Sequence, residues 1–123
     1  MLVVDDDPIV LEIVQRWLEA AHYDVAAHGS GFGATGVVQK FRPDVVLLDV
    51  EMPGLNGDAI ANLISAKGLG DVQVIFHSGR DIKELTRIAQ SRSALGAIQK
   101  TSDAYQFIRE FNQLTAPLRQ RKF

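Results

Sequence analysis

The chain has 123 residues, about one domain's worth, with 13 Lys and Arg against 15 Asp and Glu for a formal charge of −2. That balance argues against a whole-surface binder of nucleic acid or anionic membrane, and 46% hydrophobic residues are too many for a disordered tail. The absence of cysteine excludes a disulfide scaffold, a thiolate zinc site and a cysteine nucleophile together.

Apolar runs reach only four residues, as in Val45–Leu48, whereas a membrane span needs roughly 18. Met1–Asp7 has neither the basic start nor the apolar stretch of a signal peptide, so the expectation is a cytoplasmic protein.

Taken in chain order, Leu2–Val4 reads as a first strand. A first helix follows, with Asp7 as N-cap, Pro8 at the first helical position and an apolar stripe of Ile9, Val10, Ile13, Val14, Trp17 and Leu18. Tyr23–Ala27 is the second strand. The second helix is the weakest: it holds Gly31, Gly33 and Gly36, each costing about 1 kcal/mol against Ala, and rests on Val37, Val38 and Phe41 needing a face to bury. Val45–Leu48 is the third strand. A short third helix carries Ala59, Ile60, Leu63 and Ile64 and stops at Gly68-Leu69-Gly70. Val72–Phe76 is the fourth strand. The fourth helix opens with a capping box, Asp81 and Glu84, followed by Ile82, Leu85, Ile88 and Ala89. Gly96–Gln99 is the fifth strand. The fifth helix starts near Ser102, aligns Ala104, Phe107, Ile108, Phe111 and Leu114, and is expected to end at Pro117.

Strands alternating with helices imply βαβ units and a parallel sheet, and near-continuous apolar strands imply helices on both faces. The expected fold class is α/β, a single doubly wound domain. In such sheets ligands bind beyond the carboxyl ends of the strands. Asp5, Asp6 and Asp7 follow strand one, Asp49 and Glu51 follow strand three, Ser78 ends strand four and Lys100 follows strand five. Clustered carboxylates repel unless a cation joins them, and oxygen-only ligands suit a hard ion such as Mg²⁺. An Asp can also accept a phosphoryl group, whose transfer needs its oxygens neutralised, a task within reach of Mg²⁺, the Lys100 ammonium and the Ser78 hydroxyl.

These residues sit in motifs that resemble the receiver domain of two-component response regulators. VVDDDP resembles that family's first-strand motif, PDVVLLDVEMPGLNG (43–57) its phosphorylation-loop motif, VIFHSG its fourth strand and GAIQK its fifth. The four motifs occur in order, with spacings of 43, 29 and 22 residues from Asp6 to Asp49 to Ser78 to Lys100. The resemblance implies a flavodoxin-like (βα)5 fold with strand order 2-1-3-4-5. It implies a domain at 1–115, leaving 116–123 as a short basic tail or the start of a linker. It implies Asp49 as phosphoacceptor, Ser78 as the hydroxyl that follows the phosphoryl group, and Lys100 as its ammonium partner. Mg²⁺ would be held by Asp5, Asp6, Asp49 and the backbone carbonyl of Glu51. Glu51 and Arg80 flank the site at positions expected to tune the phosphoryl lifetime.

The implied function is a phosphorylation-dependent switch rather than an enzyme with outside substrates. A sensor histidine kinase or phosphotransfer protein would phosphorylate Asp49, and the surface of the fourth helix, fifth strand and fifth helix would respond toward a downstream protein or output domain. No direct nucleic-acid or membrane contact is expected of this domain, and a homodimer is permitted. The 123 residues hold no output domain, so the chain is expected either to act alone or to be part of a longer one.

Two positions depart from the family pattern. Ala97 stands where an aromatic ring usually turns inward, so output is expected to use the loop after strand four or the fourth helix. Thr101 stands where the family has Pro after the Lys, often with a cis bond; a cis bond before a non-Pro residue costs about 2.5–4 kcal/mol. Either a trans Lys100–Thr101 bond with a shifted loop or a strained cis bond is expected. The departures motivate an alternative, a phosphorylation-independent, receiver-like docking module. A third reading, a haloacid-dehalogenase-type phosphatase, has the D-x-D of Asp5–Asp7 in its favour, but beyond Lys100 only Asp103 and Glu110 remain to supply its later acidic motif. Among the remaining residues, His77 reads as a hydrogen-bonded strand histidine, His22 and His28 as surface residues, and Met52 as a packing residue. Pro53 and Gly57 are expected to shape the phosphorylation loop. Gly29–Gly36 lacks the Lys of a phosphate cradle and reads as a loose helix start.

Overall fold

β-Branched and leucine-rich runs such as Leu2–Val4 and Val45–Leu48 become strands when helices cover both their faces. The computed structural model describes residues 1–30, 33–51 and 72–121. Strands β1 (Leu2–Val4), β2 (Ala26–His28), β3 (Val45–Leu48), β4 (Gln73–Ser78) and β5 (Gly96–Gln99) form one parallel sheet in the order 2-1-3-4-5. Helices α1 (Pro8–Ala20), α2 (Ala34–Phe41), α3 (Ile82–Ser91) and α4 (Ala104–Arg121) complete the described doubly wound, flavodoxin-like arrangement. The fourth and fifth predicted helices are therefore α3 and α4. The helix expected around Ala59–Ile64, together with Met52, Pro53, Gly57 and Gly31, lies outside the described residues.

Successive strand residues point to opposite faces, so each apolar run feeds two cores. Leu2, Val4, Val46, Leu48, Val74 and Phe76 face α2 and α3, where Val38, Leu85 and Ala89 close over them. Val3, Val45, Leu47, Ile75 and Ile98 face α1 and α4, where Val14, Leu18, Phe107 and Phe111 do the same. Gly96 lets α4 approach β5: a Cβ there would stand 2.5 Å from a Leu114 methyl.

The helix starts follow the expected chemistry. The Asp7 carboxylate accepts the N–H groups of Ile9 and Val10 at 2.9 and 3.4 Å, with Pro8 opening α1. Asp81 caps α3 through the Lys83 N–H at 2.9 Å, while Glu84 turns to Arg80. Asp103 caps α4 through the Gln106 N–H at 3.1 Å and is itself bound by its N–H to the Thr101 hydroxyl at 3.1 Å.

Three expectations need correction. The α1 stripe is not all core: Ile9 and Ile13 are 67% and 41% exposed, leaving Val14 and Leu18 as the buried pair. Phe41 is likewise exposed, and α2 holds the sheet through Val38 and, in part, Val37. Pro117 does not end α4, which continues to Arg121. A proline removes one N–H and crowds the carbonyl four residues back, here that of Gln113. Pro117 and Gln113 are both solvent-exposed, so water can take up that carbonyl, and Leu118 packing on the core rewards the last turn. The peptide bonds are trans throughout the described residues, Lys100–Thr101 included, so the expected strained cis bond does not form.

Candidate functional site

Strand order reverses between β1 and β3, the point at which open α/β sheets leave a crevice at their carboxyl edge. Pairing of Val4 with Leu48 puts Asp5 and Asp49 next along adjacent strands, and the Asp49 N–H extends the ladder to the Val4 carbonyl at 3.0 Å. Pairing of Ser78 with Gln99 puts Lys100 beside them, its N–H on the Ser78 carbonyl at 2.7 Å. Residues distant in sequence thus meet because four strand ends are level.

Asp5, Asp49 and Ser78 are buried, at 1%, 4% and 0% exposure, while Lys100 is partly open. The Lys100 ammonium lies 2.9 Å from Asp5 Oδ2 and 3.3 Å from Asp49 Oδ2. Each carboxylate is also fixed by a backbone donor two residues on: the Asp7 N–H reaches Asp5 Oδ1 and the Glu51 N–H reaches Asp49 Oδ1, both at 2.9 Å. The Arg80 N–H donates to Ser78 Oγ at 3.2 Å. Burial raises the pKa of Asp5, an effect that the Asp7 N–H and Lys100 only partly offset. Burial alone would lower that of Lys100, but the two carboxylates outweigh it and hold the ammonium above its ordinary range.

Asp6 is exposed, yet its carboxylate completes a trio with Asp5 and Asp49 whose oxygens lie within 4.8 Å of one another. Asp5 Oδ2 is buried and, despite its charge contact with Lys100, has no aligned hydrogen-bond donor. A buried carboxylate oxygen held by a charge contact alone, grouped with two further carboxylates, fits a hard divalent cation such as Mg²⁺.

Asp5, Asp6, Asp49 and Lys100 therefore meet at one point, with Ser78 at the end of the adjoining strand. Glu51 lies on the rim, its side chain paired with the Arg80 guanidinium, which also reaches Glu84 at 3.6 Å. The part played by Glu84 was not anticipated; its i,i+4 spacing from Arg80 was the available signal. His77 is buried, its ring edge against Phe107 with centroids 5.5 Å apart, and burial lowers its pKa to about 4, with Lys100 adding to the effect. The described packing of His77 is thus aromatic. Ala97 is partly buried against the α2–α3 core.

The fold is shared with solved structures. The chemotaxis response regulator CheY4 of Vibrio cholerae superposes with a TM-score of 0.83 at 22% identity, covering 92% of this chain and 95% of that one. The receiver domain of the putative response regulator NarL from Mycobacterium tuberculosis gives 0.77 at 27% identity, with 91% of each chain covered. A family model described as the response regulator receiver domain matches residues 1–112. The chain belongs to that family, the receiver domains of two-component systems. Among curated relatives, the DNA-binding response regulator MtrA of Mycolicibacterium smegmatis is 41% identical over 66 residues, 54% of this chain and 29% of the relative. The heme response regulator HssR of Staphylococcus aureus is 35% identical over 80 residues, 65% of this chain and 35% of the relative. The chain thus spans about a third of the length of these relatives. Among the described residues no helix is long and apolar enough to cross a membrane.

Proposed function

We propose that the chain is a signalling switch that takes a phosphoryl group on Asp49 from a histidine kinase or a phosphotransfer protein. The observation that carries this reading is the Lys100 ammonium set between the buried carboxylates of Asp5 and Asp49, one strand from the Ser78 hydroxyl. In the transfer, the bond from phosphorus to the donor's imidazole nitrogen breaks as the Asp49 Oδ–P bond forms, and the electron pair returns to nitrogen. Asp49 starts oriented, one oxygen held by the Glu51 N–H and the other beside Lys100. Lys100 then faces the incoming phosphoryl oxygens, and Ser78 Oγ has a proton to donate to one of them. Asp5, Asp6, Asp49 and the Glu51 carbonyl would hold Mg²⁺, which supplies charge neutralisation on the transferring group. Hydrolysis by water would return the carboxylate, so the catalysis acts only on the chain itself.

Beside this site, α1 and the segment after β5 enclose a cleft of about 350 Å³. Val10, Ile13 and Trp17 line it, and Lys100, Thr101 and Ser102 form its polar end. Ile13 in this lining and Ile9 on the same helix are both exposed, an apolar surface that suits a phosphodonor protein presenting its histidine from an amphipathic face. Output would pass through the face of α3, β5 and α4 to a downstream protein or output domain.

Intact mass after incubation with Mg²⁺ and acetyl phosphate tests the reading. One phosphoryl group is expected on the wild type and none on Asp49→Asn. Equal uptake by both would place the acceptor elsewhere. No uptake by the wild type, even from a histidine kinase, would favour the docking module.

A further inference from the structure

Arg80 is tied to the site at both its ends. Its N–H binds Ser78 Oγ, and its guanidinium pairs with Glu51, whose own N–H holds Asp49. The same guanidinium reaches Glu84 in the first turn of α3, 3.6 Å away. One side chain therefore bridges the strand end carrying Asp49 and the start of α3. At position 97, where a ring could otherwise link site and surface, there is only a methyl.

We propose that Arg80 is the residue through which phosphorylation of Asp49 reaches α3. This rests on the phosphoryl switch argued above. Both acidic partners are about half exposed, at 51% and 55%, so each ion pair is weak and readily exchanged. A phosphoryl group on Asp49 offers a dianion whose paired oxygens match the guanidinium fork better than two separate carboxylates. It also repels the Glu51 carboxylate. Arg80 then leaves Glu84 for the phosphoryl oxygens, and the first turn of α3 loses its tether to the site. If Ser78 Oγ turns to the same group, the Arg80 N–H is freed at the same moment.

Amide spectra of ¹⁵N-labelled chain, with and without Mg²⁺ and acetyl phosphate, test this at Ile82–Leu85, with the phosphorylated fraction measured by intact mass. In the phosphorylated species of Arg80→Ala, the shifts at these amides should fall below about half of those in the wild type. Glu84→Gln should displace the same amides, before any phosphorylation, toward their phosphorylated wild-type positions. Full wild-type shifts in phosphorylated Arg80→Ala would overturn the proposal. So would an Arg80→Ala chain that takes no phosphoryl group while the wild type does, since Arg80 would then serve the transfer and not the relay. A wild type that takes none overturns the underlying switch, and the proposal with it.

Discussion

His77 separates what a residue type suggests from what its surroundings impose. An imidazole is the side chain suited to respond near neutral pH, but packed at 3% exposure against Phe107 it stays neutral down to about pH 4. The unfolded chain takes up a proton there near pH 6.5. Its depressed folded pKa therefore favours the fold above pH 6.5, and that advantage is lost as the pH falls through the window down to about 4. One proton over that window corresponds to about 3 kcal/mol. Urea denaturation at pH 7 and pH 4 should show wild-type stability dropping by about that much more than His77→Leu; parallel losses would refute the assignment. From sequence, the strand position of His77 was legible and its aromatic partner was not, because Phe107 is 30 residues away on another element. The same limit hid the bond between Arg80 and Glu51, while the roles of Asp5, Asp49, Ser78 and Lys100 were suggested by motifs that survive without contacts.

At the level of single elements, local chemistry was the readable part. Asp7 and Pro8 announced α1, and Asp81 announced α3, because a cap acts on the two or three N–H groups next to it. Asp7→Ala should cost about 1 kcal/mol of stability in chemical denaturation. It should leave phosphoryl uptake intact, since Asp5 is held by the backbone N–H of residue 7 and not by its side chain. Loss of uptake would mean that the Asp7 carboxylate serves the site directly. What periodicity does not distinguish is the partner of an apolar face. Ile9 and Ile13 continue the stripe of Val14 and Leu18 at helical spacing, yet only the inner pair meets the sheet. Pro117 misled for a related reason: the rule that proline stops helices assumes a carbonyl with nowhere to turn, and Gln113 faces water.

Across the whole molecule, the strand order is what makes a site from scattered residues, and it also concentrates charge. Three carboxylates against one ammonium leave that edge of the sheet electrostatically strained, so a cation that joins them should stabilise the entire fold. At ten times its Kd, Mg²⁺ should add about 1.4 kcal/mol, which for a domain of this size raises the thermal midpoint by roughly 5 °C. Asp5→Asn, which keeps an oxygen for the Asp7 N–H but loses the charge, should respond far less; an equal rise in both would place the ion elsewhere. The doubly wound class was legible because alternating strand and helix patterns permit few topologies, whereas the order 2-1-3-4-5 came with the motifs. One dimension of the fold carries a mechanical consequence. The 18 residues of α4 extend about 27 Å, roughly twice the 13 Å of the four-residue β5 beside it. Its near end is anchored through Asp103 and Thr101, immediately after Lys100. The far turn is held as well, through Leu118 on the core, so a tilt of about 5° at Thr101 would slide that remote contact by about 2 Å.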